Sequence, residues 1–326
     1  MKRTLIFICS SALLIAFFLL SLSVGAVSIP IQDLWLSLFQ TDTSFTFIIW
    51  EYRLPRAVIS ILAGFGLAVA GVILQSLVRN PLASPDVIGL TKGAGFFAAL
   101  VIFLFPSAPK YILPISALTG AFLVFLLLLL LSKRLTLSPA SFALVGIALG
   151  AIFQSGIQYL LVKYPTDINM ALLWMSGSLW GRGWSEVLSL LPWIIILLPV
   201  AWGQYPKLNI FQLGDEYSQS LGLDLIRQRF WLLLLSVTLA GVSVAAVGSI
   251  GFIGLIAPHI ARQLVGGRHQ LLIPLAALIG ANLMLLGDSI GRMLIIPREV
   301  PVGVMTAIIG APYFIFLLRK EYRKKG

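Results

Sequence analysis

Charge, thiols and imidazoles are all scarce in this chain, and each scarcity closes off a class of function. Only 11% of the 326 residues are charged, whereas a soluble domain carries about 25%. With 59% hydrophobic residues and a mean hydropathy of +1.00, the chain reads as a polytopic, all-α membrane protein. The lone cysteine, Cys9, permits neither an intramolecular disulfide nor a cysteine metal site. No G-x-x-x-x-G-K-[ST] loop and no H-E-x-x-H helix occurs, so neither nucleotide hydrolysis nor zinc proteolysis is expected, and no metal or other cofactor is. The acidic residues fall at or near predicted helix ends or in loops. A proton- or sodium-coupled carrier usually places an acidic or histidine chain at membrane depth, so the driving energy is expected from elsewhere. A net charge of +11 would suggest nucleic acid in a soluble protein, but here the basic residues sit in short turns between apolar runs and set orientation instead.

What the chain does have is apolar runs of spanning length, about 17 to 25 residues. Ten are predicted: 5–24, 54–74, 88–105, 112–131, 139–162, 187–203, 230–250, 251–265, 271–288 and 301–318. The third and eighth are short and rich in glycine. The first, with Lys2 and Arg3 before it and Gly25 and Ala26 after it, is similar to a secretory signal, but its apolar core is too long, and an uncleaved helix is expected. With both termini cytoplasmic, most of the 23 lysines and arginines fall inside, leaving Arg53, Arg56, Lys110, Lys163, Arg182, Arg292 and Arg298 outside. The stretch 230–266 is long for one crossing and tight for two. Fusing it would put the basic tail outside, so a hairpin is expected, turning near Gly248, Gly251 and Gly254. Non-helical backbone at that depth must be buried in protein or line a wet cavity, which makes the turn a candidate pathway wall. Trp174, Trp180 and Trp184 suit an interfacial layer.

The longest polar interruption runs from Gln204 to Arg229 and separates two apolar blocks whose opposite directions would permit an inverted repeat. Within it Leu213, Tyr217, Leu221 and Leu225 recur every four residues, near one helical face, while Asp215, Glu216, Gln219 and Asp224 point elsewhere. Gly214 and Gly222 interrupt the pattern at about 1 kcal/mol each relative to alanine. Two short helices with a bend near Gly222 are expected, each too short to be stable alone. The apolar face must be covered, either by the body of the protein, by the membrane surface or by a second polypeptide.

Two further clusters could carry function. Arg53 and Arg56, in the stretch RLPR, and Arg292 and Arg298 lie at predicted outer ends. They are either interfacial anchors or a receptor for carboxylates, which guanidinium holds through paired hydrogen bonds; Glu51, Asp288 and Glu299 could instead neutralise them internally. The stretch GSIGFIGLIAPHIAR, 248–262, combines close-packing glycines with Pro258, which frees a backbone carbonyl, and His259, a relay, a ligand or a hydrogen-bonded packing residue. NPLASPDVIG, 80–89, reads as a cytoplasmic turn ahead of the third helix.

Taken in order, RLPR, GVILQSLVRNPLASPDVIG, LWMSGSLWG, LGDEYSQSLGL, GFIGLIAPHIAR and EVPVGVMTAIIGAPYF resemble the FecCD-type permeases of bacterial ABC importers over nearly the whole chain. The resemblance implies a single transmembrane domain, 1–326, with a coupling segment at 204–229, in a bacterial plasma membrane. It implies ten helices per subunit and a second permease subunit, identical or paralogous, enclosing the path. The other partners are cytoplasmic ABC ATPases, an extracytoplasmic substrate-binding protein and the lipid bilayer, with no nucleic acid. Leu213, Gly214, Asp215, Glu216, Ser220, Leu221, Gly222 and Leu223 match the paired coupling helices that meet the ATPase. Arg53, Arg56 and Arg292 match the outer arginines that pair with glutamates of the binding protein, and Arg298 lies beside the E-x-P-x-G stretch. The expected cargo is an iron-siderophore complex, with haem or cobalamin as alternatives. A secondary carrier, a membrane enzyme using His259 and a structural subunit are the rival classes.

Overall fold

The computed structural model describes residues 2–39, 44–135, 139–165, 168–296 and 298–325. These residues form helices and connecting turns, with no strand among them. In chain order the helices are α1 (Lys2–Ser23), α2 (Ile31–Phe39), α3 (Leu54–Val78), α4 (Leu90–Leu104), α5 (Ile112–Leu135), α6 (Pro139–Lys163) and α7 (Ile168–Met175). They continue with α8 (Trp184–Gly203), α9 (Tyr205–Phe211), α10 (Asp215–Ser220), α11 (Leu225–Val247), α12 (Ile253–Val265), α13 (His269–Leu294) and α14 (Val302–Lys325). A π-helical turn, Ile48–Arg53, leads into α3, and Pro55 sits in the first turn, where its missing N–H costs nothing. Among the described residues, seven helices are long and apolar enough to cross a membrane, and α4, α12 and 302–315 of α14 are shorter apolar helices. Together they match the ten expected runs, and the chain is a multi-pass membrane protein.

The central helix is α3, buried along most of its length and packed by α13, α11, α12 and α8. It touches α13 and α12 almost backbone to backbone. A Cβ on Gly64 would lie 2.7 Å from the Ala281 backbone, and one on Gly71 would overlap the Gly254 carbonyl. Lipid supplies no hydrophobic drive between helices, and such close approach is what small residues contribute instead.

At 15 and 13 residues, α4 and α12 are about 22 and 20 Å long, short of a hydrocarbon core of about 30 Å. Each follows a non-helical segment that completes its passage. Before α12 the chain breaks at Gly248 and re-enters the helix at Phe252, as the glycines there and the orientation argument anticipated. Before α4 the expected turn starts at exposed Asn80, at the α10 end of the bundle, where Arg79 pairs with Asp215. Residues 80–89 fold back into the bundle, with Pro85 against Gly254 and Gly89 against Gly146 and Gly150. Trp174, expected to suit an interfacial layer, is buried within the protein. Trp180 is exposed, and the Trp184 indole donates to the Trp50 carbonyl at 2.8 Å.

Candidate functional site

At one end of the bundle, called here the arginine end, α1, α3 and α13 meet. The last carbonyls of α1 have no partner within their own helix and carry the negative end of its dipole. Two guanidiniums satisfy them. Arg53 Nη1 donates to Leu22 O at 2.6 Å and Ser23 O at 2.8 Å, and Nη2 donates to Val27 O. Arg292 donates to Val24 O at 3.0 Å, Ser21 O at 2.9 Å and Ser21 Oγ at 2.8 Å. Both side chains are 6% exposed or less. Beside them Arg56 grips Asp288 through Nη2 at 2.7 Å and Nε at 3.0 Å, and Glu299 through Nη1 at 2.7 Å. Arg292 Nε approaches the other Asp288 oxygen at 3.1 Å.

The guanidiniums line a cavity of about 310 Å³, together with Gly25, Tyr52, Trp180, Arg182 and Glu299. Internal neutralisation, one of the two readings open for these residues, thus describes Arg56 and Arg292, while Arg53 is a cap on a helix end. Arg298 is exposed on the segment after α13. Sequence reasoning passed over Arg182, whose guanidinium, among the described residues, has neither a hydrogen bond nor an ion pair. Burial pushes its pKa below the usual arginine value, and Glu186 opposes that shift.

At the opposite end the polar interruption forms α9, α10 and the start of α11. Leu208 and Phe211 of α9 are buried in the main core, and the Arg229 guanidinium lies 5.9 Å from the Phe211 ring centre. The chain then bends at Gly214, with φ 105, a backbone conformation that glycine adopts without strain. The expected bend near Gly222 is present as well: Gly222, with φ 83, closes α10 and turns the chain toward α11, which is long and not short. The matched stretch Leu213 to Leu223 holds one six-residue helix rather than two, its neighbour α9 lying upstream. Asp215 pairs with Arg79 at 2.6 Å and Arg229 at 2.7 Å, tying α10 to the end of α3 and to α11. Ser218 is buried and donates toward Ile210 O at 3.0 Å and Gly214 O at 2.6 Å.

The face left over is apolar. Leu213, Tyr217, Leu221 and Ile226 are 57%, 67%, 60% and 86% exposed, while Leu225 turns into the core. Large apolar side chains grouped on a polar segment mark an interaction surface. Leu223 is half-buried against the main core, and the exposed Ser220 returns its hydroxyl to Glu216 O at 2.9 Å.

Between the two ends lies the interrupted region. The turn 248–252 meets the end of α7 and the start of α14: Gly303 N donates to Gly177 O at 3.0 Å, and Thr306 Oγ1 to Gly251 O at 3.2 Å. Three stretches of irregular backbone thereby satisfy one another inside the bundle. Pro258 withholds the amide that would have bonded the Gly254 carbonyl, and that carbonyl faces Gly71 instead. His259 Nε2 lies 2.7 Å from Gln263 Nε2, and its ring packs on Tyr313 at 5.9 Å. Both contacts are of the hydrogen-bonded packing kind. Among the described residues no group of three or more histidines, cysteines or acids could hold a metal ion.

Residues 13–320 match the FecCD transport family. The chain is 51% identical over 325 residues to the Fe(3+)-citrate import system permease protein YfmE of Bacillus subtilis, covering 99% of this chain and 98% of that one. It is 44% identical to the Fe(3+) dicitrate transport system permease protein FecD of Escherichia coli, covering 92% and 93%. Among solved structures, an inward-facing metal-chelate type ABC transporter superposes with a TM-score of 0.86 at 32% identity, covering 97% of this chain and 99% of that one.

Proposed function

The chain belongs to the FecCD transport family, and on that premise we propose that it is the permease subunit of an ATP-driven importer for an iron(III) chelate. Citrate is the first chelator to test, because relatives at 51% and 44% identity are named for it. A second permease subunit encloses the path, a cytoplasmic ATPase supplies the energy and an extracytoplasmic binding protein delivers the chelate. The arginine end faces outward, and both termini are cytoplasmic.

The observation that carries the energy-coupling part is the exposed apolar face of Leu213, Tyr217, Leu221 and Ile226. Its base is anchored by Asp215 and Ser218, so a push on the face is delivered to α3 and α11 and is not absorbed locally. The double variant Tyr217→Glu with Leu221→Glu is expected to melt like the wild type, within about 0.5 kcal/mol as is usual for surface changes, and to lose the ATPase on co-purification. Retention of the ATPase by that variant would assign the face to lipid or to another partner.

Docking of the binding protein is assigned to the rim of the arginine end. Arg298 is exposed and Arg182 makes no ion pair among the described residues, whereas Arg53 and Arg292 are held by α1 and would have to break buried hydrogen bonds to reach a partner. Rim charges mainly set association rate. Arg298→Glu is therefore expected to slow capture of the binding protein by about tenfold at low salt, and less at high salt. A capture rate equal to wild type at low salt would remove Arg298 from the docking surface.

A further inference from the structure

The chain has two histidines, His259 and His269, and His269 has no part in the account so far. It is wholly buried, in the first turn of α13. Asn209 Oδ1, on α9, lies 2.9 Å from the backbone nitrogen of His269 and 2.9 Å from its Nδ1. Asn209 Nδ2 donates to Gln270 Oε1 at 3.1 Å, which identifies Oδ1 as the oxygen of that amide. An amide oxygen only accepts, so Nδ1 carries the ring proton. Nε2 then holds the lone pair, and the Ser76 hydroxyl of α3, 2.6 Å away, can donate to it, with the Val72 carbonyl at 2.8 Å as the second acceptor for that proton. One side chain of α9 thus caps the N-terminus of α13, and one imidazole joins α9 to α3.

These contacts connect the two ends of the molecule. Ser218 fastens α10 to the carboxyl end of α9. From His269, α13 runs 26 residues, about 39 Å, and carries Asp288 and Arg292 of the arginine cluster toward its far end. Apolar side chains alone would let α9 slide over its neighbours at little cost. Buried polar atoms do not, because a shift breaks their bonds where no water can replace them.

We propose that His269 is a positioning residue: the Asn209–His269–Ser76 set locks α9 to α3 and α13 as one body, so that movement of the exposed Leu213 to Leu221 face is carried along α13 to the arginine end. The inference rests on the reading of that face as the ATPase contact. A merely structural histidine would change how much transporter assembles, but not how one end responds to the other.

The test uses the importer purified with its partners through a tag on this chain, in a Cys9→Ser background, with a spin label on Ile296→Cys, exposed just beyond α13. ATP with vanadate is the probe. The label in otherwise wild-type protein is expected to respond to nucleotide. In His269→Ala, hydrolysis per assembled complex should persist while that response falls about tenfold, within the usual range of coupling between distant sites. Ser76→Ala removes a single hydroxyl and should show the same separation, and it decides the matter alone if His269→Ala fails to assemble. A label response equal to wild type in Ser76→Ala, or a response that falls only in proportion to hydrolysis, overturns the proposal. Absence of any ATPase from the wild-type preparation would instead sink the coupling reading on which it rests.

Discussion

Replacing Asp288 by alanine is expected to lower the stability of the purified chain by about 3–5 kcal/mol, the usual cost of removing one partner from a buried ion pair. Asp288 is 2% exposed, and its carboxylate is shared by Arg56 and Arg292. Without it, both guanidiniums stay in a space closed by α1 and α3, with Glu299 as the acid that remains bonded to Arg56. Glu299→Gln is the control. That side chain is 29% exposed, and ion pairs so placed are worth about 1 kcal/mol or less. Thermal unfolding of the two variants in detergent should separate them clearly. Equal melting would mean that the cluster is a surface feature and that the burial of Arg292 has been misread. The same geometry changes how charge reversal at Arg53 is to be interpreted. A glutamate there would set a carboxylate among the carbonyls of Leu22, Ser23 and Val27, so lost docking in that variant would report lost folding of the α1 end.

Gly71→Ala is expected to be nearly as damaging, at or above the upper end of the ~1–3 kcal/mol typical of overpacking. The added methyl group would collide with the carbonyl of Gly254. Backbone cannot rotate away as a side chain can, and Pro85 also packs against Gly254. Relief would require α12 to move as a unit, which would open the junction of 248–252 with Gly177 and Gly303. Yield of folded protein by size-exclusion chromatography in detergent is the readout. Gly203→Ala, where nothing lies within 4 Å of the new methyl group, should behave as wild type. A normal yield of Gly71→Ala would mean that α3 and α12 stand further apart than described here.

The spanning helices were legible because hydropathy alone sets them, and the break at 248–252 because glycine spacing and the parity of crossings converge there. The fold-back of 80–89 was not legible. A turn containing two prolines looks the same whether it lies in water or re-enters the bundle, and the partner that decides it, Gly254, is far away in sequence. The burial of Arg53 and Arg292 was hidden for a related reason: their partners are backbone carbonyls at the end of α1, which carry no side-chain signature. Asp288 and Glu299 could be named as neutralising acids from proximity in the predicted topology, and Arg56 does bind both. Of the two histidines, attention fell on His259 because it lies in a glycine-rich motif. His269 sits after the polar GGR of 266–268, and nothing local announces that Asn209 and Ser76 close over it. The four-residue spacing of Leu213, Tyr217 and Leu221 marked the exposed face correctly. Leu225, the fourth in that series, belongs to a new helix, and its direction is set by the turn at Gly222.

The central claim is that the face at Leu213 to Leu221 receives an ATPase. The most direct measurement is quantitative mass spectrometry of what co-purifies with the tagged chain from its native membrane in mild detergent. One soluble ATPase per permease chain is expected, with either this chain alone or one paralogue completing the pair. Recovery of the chain without an ATPase, from cells whose iron-chelate uptake survives loss of ATPase genes, would contradict it.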